Sequence, residues 1–133
     1  MNISHLIDTD WAIHYLNGHA GIVEHLESLG KEVLAISLIS VAELYEGVYY
    51  STDPESDEEA LNDFLADISI LGIEDEICKI FGKERGRLRQ VKTMIGDFDL
   101  LIASTCLYYD LTLLTNNRKH YQMVKGLKFL SKL

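Results

Sequence analysis

One short stretch decides the fold: Ile3-Ser4-His5-Leu6-Ile7-Asp8-Thr9-Asp10. Its apolar residues favour a buried strand, and the run ends abruptly on a carboxylate. In an open α/β sheet, ligands bind in the crevice outside the carboxyl ends of the strands. Asp8 would therefore lie at the mouth of a site. The alternative is that Asp8 or Asp10 only caps a following helix, which is a common role for Asp.

Strand-like and helix-like segments alternate along the rest of the chain. Further strands are predicted at residues 33–36, 68–73, 111–115 and 127–130. Apolar spacing predicts helices over residues 10–17, 20–29, 37–50, 56–67, 74–94 and 97–109. The helix over 74–94 could kink or break at Gly82 or Gly86. Strands separated by helices require crossover connections, so we expect an α/β domain over residues 1–133 with a mainly parallel sheet of four or five strands.

The composition is typical of a compact globular protein. The chain has 133 residues, of which 47% are hydrophobic, and a single Pro. No apolar run approaches the ~18 residues that a membrane helix needs. The first residues also lack the basic region and long apolar core of a signal peptide. Cys78 and Cys106 show no motif spacing and are expected to be buried thiols. We therefore expect a cytoplasmic protein that does not contact a membrane.

Charge is distributed unevenly between the two halves of the chain. Residues 1–78 contain one Lys against 17 Asp and Glu, which gives a net charge of −16. Residues 79–133 contain 11 Lys and Arg against four acids, which gives +7. Such asymmetry is typical of proteins that bind nucleic acid or another charged partner, although a solvated helix face produces the same pattern.

Further carboxylates and an amide follow the ends of later apolar segments. Glu43 lies early in the helix predicted over 37–50, where a surface Glu that pairs with the helix dipole is the alternative. Asp97 follows Gly96 directly and is expected to cap the next helix, which leaves Asp99 free in its first turn. Thr115-Asn116-Asn117 closes the strand over 111–115, again at a carboxyl end. The alternative for these residues is a polar turn, and for Asn116 we accept it.

Acids that converge on one crevice repel each other unless a cation lies between them. Hard oxygen ligands without His or Cys suit Mg²⁺ or Mn²⁺. A metal held in this way can activate a water for attack on a phosphodiester. The residues alone therefore indicate metal-dependent phosphoryl chemistry and do not separate a nuclease from a phosphatase.

Four segments, taken together and in order, resemble the PIN-domain family, and within it the VapC-type ribonuclease toxins of toxin–antitoxin pairs. They are residues 6–10, 40–44 with Gly47, 96–103 and 114–117. The resemblance implies a three-layer α/β/α fold and a Mg²⁺-dependent endoribonuclease, with Mn²⁺ as a possible substitute. It also implies RNA as the substrate and a VapB-type antitoxin as a partner, and we expect a homodimer.

The resemblance carries over residue by residue. Asp8, Glu43 and Asp99 match the acidic positions of the family and Asn117 matches the fourth polar one, so these four are the predicted catalytic residues. Asp8 and Asp99 are the predicted metal ligands. His120 departs from the pattern, because a Glu or Asp is usual there, and this leaves a second metal site open.

Two surfaces follow from the charge pattern and the resemblance. RNA contacts are predicted at basic residues just before Gly96: Arg85, Arg87, Arg89 and Lys92. The acidic half would suit a basic antitoxin tail, with an apolar face beside Val41, Leu44 and Val48.

Two alternatives stay open from the sequence. Asp8-Thr9-Asp10 also resembles the nucleophile motif of haloacid-dehalogenase-like phosphatases, and Gly96-Asp97 resembles their late metal motif, but no convincing lysine motif lies between them. The second alternative is a catalytically inert PIN-like binding module. The intact Asp8, Glu43 and Asp99 argue against it.

Overall fold

The computed structural model describes residues 2–132, in which five parallel strands form one sheet between two layers of helices. The strands are β1 (His5–Ile7), β2 (Leu34–Ser37), β3 (Ser69–Leu71), β4 (Thr112–Leu114) and β5 (Lys128–Leu130). Their spatial order is β3-β2-β1-β4-β5. The predicted α/β fold with a parallel sheet is confirmed, whereas the single-domain assignment of residues 1–133 stays a prediction, with Met1 and Leu133 outside the described residues.

Seven α-helices connect and flank the strands within the described residues. They are α1 (Thr9–Leu16), α2 (Ala20–Leu29), α3 (Leu38–Tyr49), α4 (Pro54–Leu65), α5 (Asp75–Gln90), α6 (Asp97–Tyr109) and α7 (Arg118–Tyr121). Helices α1 and α3 begin directly after a strand, where Asp8 accepts a hydrogen bond from the Thr9 amide and Ser37 accepts one from the Ile39 amide. Polar side chains are therefore placed at the carboxyl edge of the sheet.

Both faces of the sheet are buried, as expected for parallel strands covered by crossover helices. Ile7 and Ile36 pack on one face against residues of α1 to α4. Leu6 and Ala35 point to the other face and pack against residues of α5, α6 and α7. This alternation follows from the two-residue period of a strand, and it produces the three-layer arrangement.

Helix α5 differs from the helix predicted over 74–94. It ends at Gln90 and runs without a break through Gly82 and Gly86. Each Gly costs a helix about 1 kcal/mol relative to Ala. Burial of Ile77 and Leu88 on the side facing the core offsets that cost. The predicted break is therefore wrong.

Smaller elements also depart from expectation. The sequence does not predict helix α7, because four residues carry no helical periodicity. Strand β3 is shorter than the predicted range of 68–73. Cys106 is buried as expected, but Cys78 is exposed on α5, so the buried-thiol prediction is wrong for it. No helix within residues 2–132 is long and apolar enough to span a bilayer.

Candidate active site

The candidate site lies where the chain connections leave the sheet in opposite directions. Strand β1 is paired with β2 on one side and with β4 on the other. Asp8 follows β1, and its amide donates to the Leu114 carbonyl at the end of β4. Ligands bind at such switch points in open α/β sheets. Asp8 therefore occupies the position that the sequence predicted for it.

Asp8 is almost fully buried, with 4% of its surface exposed. Its carboxylate accepts hydrogen bonds from the Thr9 amide (2.8 Å), the Thr115 hydroxyl (2.7 Å) and the Tyr121 hydroxyl (3.3 Å). Burial, and then the negative charge of Asp10, raise the pKa of Asp8 to about 7, although the hydrogen bonds favour its ionised form. Asp8 both caps α1 and faces the site, so its two interpretations do not exclude each other.

Asp99 lies beside Asp8 through a shared hydroxyl. The Tyr121 oxygen is 3.3 Å from a carboxylate oxygen of each of the two acids. Because a phenol carries one proton, it donates to one carboxylate at a time. Burial, followed by the charges of Asp8 and Asp99, raises the pKa of Tyr121, so the group stays a neutral donor. The two predicted metal ligands are therefore brought together.

Glu43 reaches the same edge through Thr9. The Thr9 hydroxyl donates to a Glu43 carboxylate oxygen at 2.6 Å and lies 2.8 Å from the Ser40 hydroxyl. Thr9 directly follows Asp8, so Glu43 is linked to the buried Asp8 through a single residue of α1. Glu43 itself is half-buried.

Asn117 joins the group through His120. Its side-chain amide nitrogen lies 2.8 Å from His120 Nδ1, and that same ring nitrogen lies 3.0 Å from Asp99 Oδ2. The backbone amide of Asn117 donates to the Thr115 hydroxyl at 3.0 Å. Asp8, Glu43, Asp99 and Asn117 thus lie in one connected network, and their catalytic roles stay a prediction.

The two other acids of the motifs have structural partners. Asp10 accepts hydrogen bonds from the amides of Trp11 and Asn116, which ties α1 to the segment after β4. Burial raises the pKa of Asp10. Asp97 does not cap α6, because Gly96 occupies the cap position and the Asp97 carboxylate pairs with Arg85 at 2.7 Å. The capping prediction for Asp97 is therefore wrong.

The basic residues of α5 and the turn after it divide into two kinds. Arg85 is 8% exposed and donates to the Ile95 carbonyl and to Asp97. Arg87 donates to Glu84 and to the Met123 carbonyl. Both side chains hold neighbouring segments together, whereas Arg89 and Lys92 are exposed. The RNA contacts stay a prediction, which the geometry favours for the exposed pair.

Sequence reasoning missed two residues of the site. Thr115 ends a predicted strand on the same edge as Asp8, so its position gave a usable signal. Tyr121 gave none, because it lies in the short helix α7. Its buried position beneath two carboxylates comes from tertiary packing alone.

The side chains present fit an oxygen-ligated divalent cation. Asp8 and Asp99 supply two neighbouring carboxylates, and Mg²⁺ typically takes one or two carboxylates and completes its shell with water and substrate oxygens. Within residues 2–132, no three His, Cys, Asp or Glu side chains are grouped closely enough to hold a metal ion. The arrangement therefore suits a metal site in which the protein supplies only some of the ligands and the rest come from water and substrate.

Comparison with known proteins identifies the family. The profile of the PIN domain matches residues 5–126. The chain belongs to the PIN-domain family. This confirms the predicted resemblance and argues against the haloacid-dehalogenase-like alternative.

Several PIN-domain relatives match over nearly their whole length. A protein named Ribonuclease VapC2 from Rickettsia felis is 34% identical over 125 residues, which span 92% of this chain and 93% of that protein. A protein named Ribonuclease VapC1 from Methanocaldococcus jannaschii is 34% identical over 129 residues, which span 96% of this chain and 87% of that protein.

A solved PIN-domain structure shares the same architecture. It is the crystal structure of VapBC2 from Rickettsia felis bound to a DNA fragment from their promoter, and it matches with a TM-score of 0.92 at 31% identity. The match covers 98% of this chain and 100% of that one. The predicted three-layer fold is confirmed.

Proposed function

We propose that this protein is a metal-dependent endoribonuclease and the toxin of a VapBC-type toxin–antitoxin pair. The observation that carries the proposal is the meeting of Asp8 and Asp99 at the switch point of a PIN fold, on either side of the Tyr121 hydroxyl. The relatives named Ribonuclease VapC support it, because their similarity extends over the whole fold.

Asp8 and Asp99 would hold the metal, for which we propose Mg²⁺, with Mn²⁺ as a substitute. When bound, the ion would polarise the scissile phosphodiester and make a water more acidic. Thr9 and Thr115 fix the orientation of the Asp8 carboxylate through their hydrogen bonds. To Glu43, whose carboxylate accepts from the Thr9 hydroxyl, we assign the role of taking a proton from a water at the edge of the crevice.

The partners follow from the same proposal. RNA is the substrate, with Arg89 and Lys92 as its exposed basic contacts. A VapB-type antitoxin holds the enzyme inactive in the cytoplasm, and the protein forms a homodimer. An apolar groove of about 270 Å³ between α1, α3 and α4 offers the antitoxin a docking surface that includes Glu43.

The test is cleavage of total RNA by the purified protein with Mg²⁺, with EDTA, and with Mg²⁺ restored. We expect cleavage only when the metal is present. Asp99→Asn should lower the cleavage rate by about a hundredfold or more, because it removes one charged ligand and keeps the shape of the side chain. Asp63→Asn, an exposed change on α4, is the matched control and should cleave normally.

Each contrary outcome has a distinct meaning. Cleavage by Asp99→Asn at the normal rate would contradict the site assignment. Metal binding without cleavage of any RNA would favour the inert binding module instead.

A further inference from the structure

Phe98 leaves an aromatic ring exposed beside one of the two proposed metal ligands. The residue is 53% exposed, although Phe is among the residue types most often buried. It directly precedes Asp99 in the first turn of α6, and it belongs to neither apolar core cluster of residues 2–132. Core packing therefore does not account for a Phe at this position.

The turn that leads into α6 lies at the active-site end of the molecule. Arg85, near the end of α5, pairs with Asp97 at the start of α6. Glu74, directly before α5, accepts a hydrogen bond from the Tyr109 hydroxyl at the other end of α6. The two helices are therefore antiparallel, and residues 91–96 connect them on the side where α6 begins.

This turn exposes apolar side chains and cations together. Val91 and Met94 are exposed, Met94 by 80%. Arg89 and Lys92 are exposed as well, and neither forms a salt bridge within the described part of the chain. With Phe98 these residues form one surface, which we call the turn surface. Cations beside an exposed ring are typical of proteins that bind single-stranded nucleic acid, because the cations follow the phosphates and the bases stack on the ring.

The turn surface is held in place by contacts of its own backbone. The Thr93 amide donates to the Leu88 carbonyl at 2.9 Å, and the Arg85 guanidinium donates to the Ile95 carbonyl at 2.9 Å. A surface that is already ordered loses little conformational entropy when it binds a ligand. Phe98 is therefore presented on a preorganised segment rather than on a flexible loop.

A second copy of this chain is the other occupant that such a surface could take. A two-fold contact would place the turn surface of one copy against the same surface of the other. Arg89 and Lys92 of both copies would then come together, and like charges that face each other in an interface cost free energy. The charges therefore favour a polyanion, and the position of Phe98 next to Asp99 favours the substrate.

We propose that Phe98 positions the substrate by stacking on an unpaired base of the RNA, at a nucleotide at or next to the bond that is cut. The inference rests on the proposed ribonuclease function and adds a base-binding residue to it. Proteins that recognise unpaired RNA commonly stack its bases on aromatic side chains. A base within a duplex is stacked on its neighbours and does not reach such a ring, so the protein selects RNA that is unpaired at this position.

The experiment measures binding and stacking on the full chain in EDTA, which prevents cleavage. The probe is an oligouridine RNA of about 12 nucleotides with one 2-aminopurine, placed at each position in turn. The fluorescence of this base decreases when it stacks on an aromatic ring. The same RNA paired with its complement is the duplex probe.

Three variants are compared with the unchanged protein. Phe98→Leu keeps an apolar side chain and removes the ring, whereas Phe98→Trp keeps a ring. Tyr108→Leu removes an exposed ring at the far end of α6 and is the matched control.

We expect fluorescence quenching by the unchanged protein, by Phe98→Trp and by Tyr108→Leu, and its loss in Phe98→Leu. The affinity of Phe98→Leu for the unpaired probe should fall by about tenfold. Its salt slope should stay the same, because no phosphate contact is lost. All four proteins should bind the duplex probe equally.

Several outcomes would overturn the inference and leave the proposed function intact, because cleavage of total RNA tests that function separately. They are no quenching by the unchanged protein, quenching or affinity that persists in Phe98→Leu, and a dimer that dissociates in Phe98→Leu, which would identify an interface between copies. A large loss of stability of Phe98→Leu in urea would place the ring in the core and overturn it as well. If the unchanged protein neither binds nor cleaves RNA, the inference and the proposed function both fail.

Discussion

Asp8 carries its charge where the fold disfavours charge. It is buried at the end of a strand, and Asp10 and Asp99 both add negative potential to the effect of burial, so its pKa rises from the ordinary 3.8 to about 7. Because the folded pKa lies above the unfolded one, the native state binds more protons between about pH 4 and pH 7. The free energy of unfolding contributed by Asp8 therefore falls as the pH rises through this window.

Asp8→Asn removes the ionisable carboxylate and therefore tests how much its charge lowers the free energy of unfolding. In metal-free protein at about pH 8, the variant should be more stable than the unchanged protein by on the order of 2–4 kcal/mol, with the difference narrowing towards about pH 4. Urea unfolding in EDTA across this range measures it. Asp63→Asn, on the exposed face of α4, should show no such pH-dependent gain. A variant equally destabilised at every pH would contradict the assignment.

Tyr121 offers a second test at the level of a single atom. Tyr121→Phe deletes the hydroxyl between Asp8 and Asp99 and should lower the free energy of unfolding by about 1–2 kcal/mol at pH ~8, because hydrogen bonds to charged groups are the stronger ones. The decrease should be smaller at pH ~5, where Asp8 is protonated. Tyr45→Phe, which deletes a surface hydroxyl near Asn62, is the control. Equal decreases at both pH values would contradict the proposed bridge.

The positions of the acids could be predicted, but not their partners. Asp8 was found because residues that follow parallel strands share an edge of the sheet, and Glu43 because its position early in a helix matches an acidic position of the family. Tyr121 could not be found, because its contact with Asp8 spans 113 residues of sequence. Asp97 was misassigned for a related reason: the local capping preference of Asp was overridden by Arg85 on the preceding helix.

Among the elements, helix α5 and the turn after it carry two kinds of basic side chain. Arg85 and Arg87 are engaged in contacts within the protein, whereas Arg89 and Lys92 are exposed. The sequence predicted one basic cluster, since charge spacing alone does not reveal which side chains are buried. Helix α5 also passes through Gly82 and Gly86, because packing of its apolar side outweighs local propensity.

The exposed side chains Arg89 and Lys92 are the ones on which the predicted RNA contact can be tested. Arg89→Gln with Lys92→Gln should weaken RNA binding and reduce the salt slope by about 0.7 for each phosphate that the protein no longer neutralises, with stability unchanged. Affinity measured at several salt concentrations gives the slope. Arg85→Gln, as the contrast, should instead lower the free energy of unfolding by about 1–3 kcal/mol, because it leaves the buried Ile95 carbonyl without its donor. An unchanged slope in the double variant would identify a merely solvated face.

Across the whole molecule, the acidic half carries more negative charge than the site requires. Residues 1–78 have a net charge of −16, and this half supplies the apolar groove between α1, α3 and α4. Leu44 and Val48 line the groove, whereas Val41, which is buried like them, is not among its lining residues. Glu43 belongs to the groove and also bonds Thr9 beside Asp8. A partner in the groove would therefore contact Glu43, one of the predicted catalytic residues.

We expect that partner to be a basic antitoxin tail that lays an apolar face in the groove. One Arg or Lys of the tail should reach the Asp8–Asp99 crevice, since an Arg fork binds carboxylates in bidentate fashion. A flexible tail loses conformational entropy when it becomes ordered on binding, which lowers its affinity per unit of buried area. In return, it can cover a large surface. The cation of the tail and the metal would then compete for the same two carboxylates.

Competition makes a prediction for the complex with a VapB-type antitoxin, obtained by co-expression of the two proteins. High Mg²⁺ should weaken inhibition, and Asp99→Asn should loosen the complex by about tenfold, because an interfacial carboxylate that pairs with a cation contributes at least about 1.5 kcal/mol. Affinity measured with and without Mg²⁺ tests both, and Asp63→Asn, away from the crevice, should bind normally. Inhibition that is insensitive to Mg²⁺ and to Asp99→Asn would mean that the tail blocks RNA elsewhere on the surface.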